Sequence, residues 1–325
     1  MDRNARIFVA GGGKPIGAAL LRALRRRGFT NIVGDGEAEP LYTEQADVNA
    51  FFAREKPEYV FVAGGKAGGI GFNQKHPAEL VYDNLCLATN VISAAYTHGV
   101  EKLLFLASSC CYPKECPQPM REEYLLTGPL EPTNEPYAVA KLAGISLCRS
   151  YRKQHGCDFV AAVPSNYFGP GDDFSPENSH VIGALIRRMH DAALQGAEEV
   201  EIWGTGKPRR EFIYIDDLAE ACLVAMDKYS SGVPINLGSD GDVSIAELAT
   251  MIQKIVGFQG RLRFDPGKPD GMMVKILESS AINGLGWAPA FTFSEAIQQT
   301  YEWYLSEWCG QEDRLRKIRL HEKEL

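Results

Sequence analysis

The sequence has no long apolar run, no excess of basic residues and no N-terminal targeting signal. No stretch approaches the roughly 20 apolar residues that a membrane-spanning helix needs, and the apolar run after Arg6 is too short for a signal-peptide core. The chain carries 34 Lys and Arg against 42 Asp and Glu, a net charge of -8, whereas a nucleic-acid binder is expected to be basic. We therefore expect a cytoplasmic protein that binds neither membranes nor nucleic acid.

Cysteine and histidine are present but lack the grouping of a disulfide framework or a metal site. The 8 cysteines form no Cys-x-x-Cys pair, and the 6 histidines are scattered along the chain. Without an export signal, reduced thiols are the default, and a structural zinc site would need ligands at short, regular spacing. We predict free cysteines and no metal site.

What the sequence does contain is an alternation of short apolar runs and amphipathic stretches. The first half predicts strands at Arg6–Ala10, Asn31–Val33, Tyr59–Ala63, Lys102–Leu106 and Phe159–Val163. Between them lie predicted helices at Ile16–Arg27, Asp47–Glu55, Ala78–His98 and Pro136–His155. This alternation implies right-handed crossovers and a mostly parallel sheet covered on both faces. The predicted fold class is therefore α/β, with a doubly wound, Rossmann-like parallel-sheet domain.

The pattern loosens after Pro164 and predicts a smaller α+β substrate domain. Helices are predicted at His180–Leu194, Asp216–Lys228, Ser244–Val256 and Phe293–Trp308, and strands at Glu199–Trp203 and Arg261–Phe264. At roughly 100–200 residues per domain, 325 residues suggest two domains. We expect 1–168 to bind the cofactor, 169–325 to bind the substrate, and a segment near 210–240 to rejoin the first domain. The charge run Glu312–Leu325 is expected to be a solvated tail.

A glycine-rich turn follows the first predicted strand and precedes the first helix. It has the sequence Ala10-Gly11-Gly12-Gly13-Lys14-Pro15-Ile16-Gly17. Backbone N–H groups in such a turn can approach a pyrophosphate, and the helix N-terminus adds positive potential. The position of the turn favours a dinucleotide site over the alternative, a plain tight turn.

Tyr137 and Lys141 lie four residues apart at the start of a predicted helix, so they share one helical face. A phenol with a pKa of about 10 is a poor acid-base catalyst at neutral pH. A lysine ammonium one turn away favours the phenolate and can also hydrogen-bond a nicotinamide ribose. A bare Tyr-x-x-x-Lys is usually a surface pair, but here Ser108 follows the fourth predicted strand. Ser108, Tyr137 and Lys141 together match the catalytic set of short-chain dehydrogenase/reductases.

Several longer segments resemble one family, the GDP-L-fucose synthases. They are Ser108-Ser109-Cys110-Cys111-Tyr112-Pro113, Leu130-Glu131-Pro132-Thr133-Asn134-Glu135-Pro136-Tyr137-Ala138, Asn178-Ser179-His180-Val181-Ile182, Trp203-Gly204-Thr205-Gly206, Arg210-Glu211-Phe212 and Lys268-Pro269-Asp270-Gly271. The similarity runs from about Arg6 to Leu305. It implies an extended short-chain reductase that converts GDP-4-keto-6-deoxy-D-mannose to GDP-L-fucose, with NADPH as the hydride source. It also implies a homodimer, with the helices Ala78–His98 and Pro136–His155 at its interface.

The resemblance assigns the epimerisation chemistry to Cys110 and His180. A ketone at C4 of the sugar acidifies the protons on C3 and C5, and inverting these centres needs an acid and a base that flank the ring. Cysteine and histidine have reference pKa values of about 8.5 and 6.5, which bracket neutral pH. In the reduction, Tyr137 is expected to donate the proton while Ser108 holds the carbonyl oxygen. Each residue alone also has a plain structural explanation, a small buried thiol for Cys110 and a helix start for His180.

The resemblance also implies which residues hold the two ligands. For the nucleotide sugar it implies Arg187, Trp203, Arg210, Asp270 and Lys275. For the cofactor it implies Gly11, Gly13, Lys14, Gly17, Asp35, Asp47, Ser108, Lys141, Pro164 and Asn166.

The cofactor segment departs from the family pattern in two places. Gly13 stands where an NADP-binding arginine is expected, and Lys14 replaces the middle glycine. After the second strand comes Gly34-Asp35-Gly36-Glu37, with no Lys or Arg between Gly28 and Arg54, and an acidic side chain there favours the free ribose hydroxyls of NAD. Lys14 could supply the missing charge, although we expect a side chain at that position to need a costly positive φ. NADP(H) is favoured by the resemblance, and NAD(H) remains the alternative.

Two other functions remain open at this stage. A relative that acts on another GDP-4-keto-6-deoxy sugar, such as a heptose or a 3-deoxy sugar, would share most of these residues. A catalytically idle nucleotide-sugar-binding protein is the second alternative, and the altered glycine turn is the feature in its favour. Against it stands the intact set of Ser108, Cys110, Tyr137, Lys141 and His180.

Overall fold

A parallel sheet organises the first half of the chain, in a computed structural model that describes residues 1–34, 39–268 and 270–310. The described strands are β1 (Ile7–Ala10), β2 (Ile32–Val33), β3 (Tyr59–Val62), β4 (Lys102–Leu106), β5 (Asp158–Pro164), β6 (Asn166–Phe168), β7 (Glu199–Trp203), β8 (Arg209–Arg210), β9 (Phe212–Tyr214), β10 (Ile235–Leu237), β11 (Val243–Ser244), β12 (Arg261–Asp265) and β13 (Val274–Lys275). The main sheet has the order β10-β5-β4-β3-β1-β2, and all its pairs are parallel.

Helices cover both faces of this sheet. The described helices are α1 (Pro15–Arg26), α2 (Gln45–Glu55), α3 (Ile70–Lys75), α4 (Pro77–Thr97), α5 (Glu135–His155), α6 (Val181–Gln195), α7 (Ile215–Lys228), α8 (Ile245–Val256), α9 (Ser280–Gly284) and α10 (Phe293–Trp303). Helices α1 and α7 pack together on one side, and α4 packs against α2 and α5 on the other. The predicted doubly wound α/β fold is confirmed.

The alternation of side chains along the strands explains the two cores. In β1, Val9 belongs to the core shared with α1 and α7, whereas Phe8 packs with Phe51 and Phe52 of α2. Successive strand residues point to opposite faces, so a strand that is apolar at every position can fill both cores. All four residues of β1 and all five of β4 are buried, which is why such short runs form central strands.

The second half adds three smaller sheets and returns once to the main sheet. The smaller sheets have the orders β11-β8-β13, β12-β7 and β6-β9 in the described residues. Strand β10, in the segment predicted to return, pairs with β5 in the register Ile235↔Ala162. The division of the chain at residue 168 stays a prediction.

Several short elements differ from the sequence-based prediction. The pattern did not predict β6, β8, β9, β10, β11 and β13, because each has only two or three residues and shows no periodicity. Helix α3 and the short helix α9 were also missed. The predicted helix over Phe293–Trp308 is α-helical only to Trp303 and continues as one π-helical turn, Tyr304–Trp308. The predicted charged tail, Glu312–Leu325, lies outside the described residues. In the described ranges, no helix combines the length and apolarity needed to cross a membrane.

Candidate active site

The glycine turn between β1 and α1 is packed too tightly for side chains at two positions. Gly11 has φ +89°, and a Cβ there would lie 2.3 Å from the Cα of Gly64, two residues after β3 ends. A Cβ on Gly17 would lie 1.9 Å from the carbonyl oxygen of Gly11. These glycines let α1 and β3 approach the turn, which fixes the N-terminus of α1 above the carboxyl edge of the sheet.

Gly13 and Lys14, in the middle of the turn, leave it open to a ligand. A Cβ on Gly13 would meet no atom within 4 Å, so its backbone can be approached by a bound group. Lys14 is the exposed N-cap of α1 and has φ -89° and ψ 158°. The expectation that Lys14 needs a positive φ is therefore wrong, because the extended backbone is open to any side chain. An open backbone at a helix N-terminus fits a dinucleotide pyrophosphate.

Glu39, which the sequence reasoning missed, reaches the inner side of this turn. Its carboxylate accepts hydrogen bonds from the backbone N–H of Gly11 at 2.9 Å and of Gly13 at 3.4 Å, and from the hydroxyl of Tyr42. The predicted cofactor residue Asp47 lies nearby at the start of α2, where its carboxylate accepts the N–H of Leu41 at 2.6 Å. The predicted cofactor residue Asp35 lies outside the described residues.

Three further residues predicted to bind the cofactor lie at the same edge of the sheet. Pro164 ends β5 and Asn166 begins β6, while Ser108 follows β4. The carboxyl ends of parallel strands are where doubly wound folds bind ligands. The structure therefore places these predicted residues along one edge with the glycine turn.

Tyr137 and Ser108 are brought together where α5 begins. Helix α5 has Pro136 in its first turn, which sets Tyr137 at the helix entrance facing the end of β4. The half-buried Tyr137 side chain is hydrogen-bonded to the Ser108 side chain, which lowers the pKa of the phenol. Burial and the neighbouring Cys110 outweigh that effect and hold the pKa of Tyr137 well above its ordinary value. The phenol is therefore neutral and carries its proton at physiological pH.

Lys141 is buried one turn along α5, beneath Tyr137. Its Nζ donates to the carbonyl oxygens of Leu106 at 2.9 Å and Gly64 at 3.4 Å, and lies 5.7 Å from the centre of the Tyr137 ring. Burial lowers the pKa of Lys141 to about 8, with Cys111 opposing the shift. A largely charged amine is thus held between the ends of β3 and β4 and the Tyr137 phenol.

This buried amine predicts a pH-dependent stability. In the unfolded chain lysine has a pKa of about 10.4, so between pH 8 and that value the folded state holds fewer protons and stability rises with pH. We expect the free energy of unfolding of the wild type, relative to Lys141→Met, to rise by about 2–3 kcal/mol over this window. Urea titrations of both proteins at several pH values measure this difference in the free energy of unfolding. Below about pH 7 the difference should be flat, and parallel curves throughout would contradict the prediction.

Cys110 faces a small cavity beside this pair. Its sulfur is 3.7 Å from Nδ2 of Asn134 and 3.8 Å from Nζ of Lys275. The cavity has a volume of about 50 Å³ and is lined by Ser109, Cys110, Tyr112, Pro113, Lys114, Met120, Glu131, Asn134, Met272 and Lys275. Asn134, the N-cap of α5, also accepts a hydrogen bond from Asn73 at 2.6 Å. The sequence reasoning quoted Asn134 within a motif but did not assign it a role.

His180 is the N-cap residue of α6. The residue is exposed to solvent, while neighbouring protein atoms still desolvate its imidazole. Burial and the charge of Lys275 lower the pKa of His180, and Asp173 opposes them. Lys275 thus contacts Cys110 and acts electrostatically on His180, which brings the two predicted epimerisation residues to one cleft.

Two of the cationic side chains predicted to bind the substrate come from paired strands. Lys275 of β13 is in register with Arg210 of β8. Burial lowers the pKa of Arg210, and Asp270 opposes that shift. On α6, Nη1 of Arg187 donates to the carbonyl of Phe174 at 3.2 Å.

Asp270 holds the turn that directly follows Trp203. Both carboxylate oxygens of Asp270 accept from Thr205, from its N–H at 2.7 Å and its hydroxyl at 2.8 Å. Trp203 is 62% exposed, with Nζ of Lys268 5.4 Å from its ring centre. Asp270 therefore shapes the turn that presents an indole face available for stacking.

Glu211 is a buried carboxylate that the sequence reasoning quoted but did not interpret. It accepts from the N–H of Leu277 at 2.9 Å and of Ser239 at 2.7 Å, while its own N–H donates to the carbonyl of Lys275 at 3.2 Å. Burial raises the pKa of Glu211 to about 7, against these hydrogen bonds. Glu211 thereby fixes the strand that carries Lys275. Among the described residues, no group of three or more His, Cys, Asp or Glu could hold a metal ion.

Comparison with known proteins agrees with this geometry. The model of the NAD dependent epimerase/dehydratase family matches residues 7–238. "GDP-L-fucose synthase 1" of Arabidopsis thaliana is 52% identical over 309 residues, which cover 95% of this chain and 96% of that protein.

Two solved structures are similar over almost the whole chain. A GDP-L-fucose synthetase from Naegleria fowleri bound to NADP has a TM-score of 0.88 and 28% identity, covering 95% of each chain. MlghC, a GDP-mannoheptose C4 reductase from Campylobacter jejuni with NADP bound, has a TM-score of 0.84 and 36% identity, covering 94% of this chain and 100% of that one. The chain therefore belongs to the NAD dependent epimerase/dehydratase family and groups there with the GDP-L-fucose synthases.

Proposed function

We propose that this protein converts GDP-4-keto-6-deoxy-D-mannose to GDP-L-fucose as a 3,5-epimerase and 4-reductase. The observation that carries the proposal is the convergence of two residue sets on one cleft. Tyr137 is hydrogen-bonded to Ser108 and lies near Cys110, and Lys275 contacts Cys110 and acts electrostatically on His180. A ketoreductase needs Ser108 and Tyr137, and an epimerase needs Cys110 and His180 as well.

In the epimerisation, Cys110 and His180 act as the acid-base pair. One of them removes a proton from the carbon next to the C4 ketone, and the other delivers a proton to the opposite face. The enolate oxygen formed at C4 is stabilised by hydrogen bonds from the hydroxyls of Ser108 and Tyr137. The same pair can serve C3 and C5, because both carbons flank the same carbonyl.

In the reduction, the chain supplies the proton and orients the ketone. A bound nicotinamide cofactor supplies the hydride. Ser108 holds the carbonyl oxygen, and Tyr137, whose raised pKa keeps it protonated, gives its proton to that oxygen. Lys141 lies 5.7 Å from the phenol ring centre and stabilises the phenolate left behind, because an ammonium favours a nearby anion.

The diphosphate and base of the substrate are bound by the second half of the chain. Arg187, Arg210 and Lys275 supply positive charge, and arginine is suited to bidentate phosphate contacts. Trp203 offers its exposed ring to the guanine. Asp270 contributes by holding the turn next to Trp203 through Thr205.

The cofactor is a nicotinamide dinucleotide, held by the glycine turn and Lys141. We favour NADP(H), because the two similar solved structures are described with NADP bound. NAD(H) is the second candidate, because Gly13 supplies no cation to the turn. Pro164 and Asn166 are proposed to line the nicotinamide end of the same edge, where β5 ends and β6 begins.

The oligomeric state that we propose is a homodimer formed by α4 and α5. These helices pack side by side, and Tyr82 and Val139 remain exposed on them. Exposed apolar side chains on adjacent helices are typical of a helical interface. We also keep the cytoplasm as the proposed location.

The substrate is tested by incubating the protein with a panel of GDP-4-keto sugars and each nicotinamide cofactor. Mass spectrometry should show GDP-L-fucose from GDP-4-keto-6-deoxy-D-mannose as the best product. The description of one similar structure as a mannoheptose reductase makes a keto-heptose the informative competitor. Faster turnover of the heptose would contradict the proposed substrate, and cofactor binding without turnover of any sugar would favour an idle binding protein.

A further inference from the structure

The side chain of Asn134 does not cap the helix that it begins. Asn134 is the N-cap residue of α5, and an asparagine in this position usually accepts an N–H from the first turn. Here it makes no side-chain cap hydrogen bond. Its Oδ1 instead accepts from Nδ2 of Asn73 at 2.6 Å, and its own Nδ2 lies 3.7 Å from Sγ of Cys110. The amide is therefore directed at the thiol that the proposed epimerisation uses.

The hydrogen bond from Asn73 fixes which end of the Asn134 amide faces the sulfur. An asparagine amide has an oxygen that accepts and a nitrogen that donates. Because Asn73 donates to the oxygen of Asn134, the nitrogen is left for Cys110. Asn73 is 6% exposed, and within the described part of the chain its own Oδ1 is buried without a hydrogen-bond partner. Burying such an oxygen is costly, so the contact with Asn134 is what this buried amide provides.

The short helix α3 connects Asn73 to the segment that carries His180. Gly69, the N-cap residue of α3, donates its N–H to the carbonyl of Asn178 at 3.1 Å, two residues before His180. The N–H of Asn73 in turn donates to the carbonyl of Gly69 at 3.0 Å. The backbone that orients Asn134 is therefore tied to the backbone that leads to the second epimerisation residue.

A hydrogen-bond donor at the sulfur of Cys110 favours the ionised thiol. Hydrogen bonds to a charged group stabilise the charged form and are stronger than those between neutral groups. Whether Cys110 removes a proton from the sugar or delivers one, a thiolate is present at one end of the step. Lys275 also lies 3.8 Å from the sulfur, so two donors, one neutral and one charged, face it. The reduction does not use this thiolate, because Tyr137 is the proton donor there.

We propose that Asn134 is a positioning residue of the epimerisation, which is oriented by Asn73 and stabilises the thiolate of Cys110 with its amide N–H. The inference rests on the proposed epimerase function and adds two residues to it. It also gives a role to α3, which joins the two segments that carry the acid-base pair.

The first test is Asn134→Asp. The carboxylate keeps the acceptor for Asn73 but replaces the donor at the sulfur with an acceptor, and aspartate is also a good N-cap residue, so the start of α5 is preserved. We expect deuterium incorporation at C3 and C5 of the 4-keto sugar to slow by about 10–100-fold, while a ketone that is already epimerised is reduced as in the wild type. Asn49→Asp is the matched control, because the amide of Asn49 donates to the carbonyl of Gln45 within α2.

A second measurement needs only the protein. The rate at which iodoacetamide alkylates Cys110, followed by peptide mass spectrometry over a range of pH, reports the thiolate fraction. In Asn134→Asp the midpoint of this profile should move up by about one pH unit, which corresponds to a tenfold smaller stabilisation of the thiolate. Cys116 in the same sample is the internal reference, and its profile should not move.

Asn73→Ala keeps the proposal testable if Asn134→Asp folds poorly. It removes the donor that orients Asn134 and should slow the exchange by less, about threefold to tenfold. Wild-type exchange and an unmoved Cys110 profile in a folded Asn134→Asp would overturn the role of Asn134, as would equal losses of exchange and reduction. Absence of deuterium exchange in the wild type would overturn the proposed epimerase function instead, and the Cys110 profile would still decide whether Asn134 stabilises the thiolate.

Discussion

Tyr137→Phe is expected to lower the rate of ketone reduction by about 10²–10⁴-fold, the usual contribution of a positioned proton donor. The substitution removes one hydroxyl from a half-buried ring and leaves the packing of α5 intact. The hydroxyl is the group hydrogen-bonded to Ser108 and holds its proton at neutral pH. Without it, the oxygen formed at C4 has no donor in place. Single-turnover oxidation of NAD(P)H, followed by absorbance, measures the rate.

A control variant and a second readout separate a catalytic effect of Tyr137→Phe from a structural one. Tyr167→Phe is the matched control, because Tyr167 of β6 is, like Tyr137, a half-buried phenol and lies near it, with no assigned part in the reaction. Tyr137→Phe should also keep the exchange of C3 and C5 protons with solvent, at a rate reduced only by the loss of one enolate contact. Wild-type reduction in Tyr137→Phe would remove this tyrosine from the mechanism.

Cys110→Ser is expected to slow deuterium incorporation at C3 and C5 by about 10²–10⁴-fold in heavy water. A serine hydroxyl does not ionise near neutral pH, so it cannot take the part of a thiol in proton exchange. The contacts of Cys110 with Asn134 and Lys275 distinguish its thiol from that of the neighbouring Cys111. Burial raises the pKa of Cys111 to about 12, which leaves that thiol inert. Mass analysis of the recovered 4-keto sugar reports the exchange.

The control for this variant is Cys116→Ser. Cys116 is half-buried on the loop that follows, and burial raises the pKa of its thiol, so its loss should leave exchange unchanged. Cys110→Ser should still reduce a ketone that is already epimerised, because Ser108 and Tyr137 are intact. Exchange at the wild-type rate in Cys110→Ser would show that another group is the base. The two variants therefore divide one cleft into an epimerising half and a reducing half.

The central strands could be predicted because burial on both faces leaves a continuous apolar run. The bounds of β4, Lys102–Leu106, and of β7, Glu199–Trp203, agree with the prediction. Strands such as β8 and β13 have two residues each, and they form only because the loops around Arg210 and Lys275 are brought together. No local pattern marks such strands, since their partners are distant in the chain.

The amino-acid sequence by itself determined the alternation that winds the sheet, the glycines that the turn requires, and the Ser108, Tyr137 and Lys141 set. These features are local, because they depend on residue type and on spacing within one strand, turn or helix. Only the tertiary structure decided that Lys275 contacts Cys110 and acts electrostatically on His180, that Asp270 holds Thr205, and that Glu39 reaches the glycine turn. Each of these contacts joins residues from different loops, and the path of a loop depends on what it packs against.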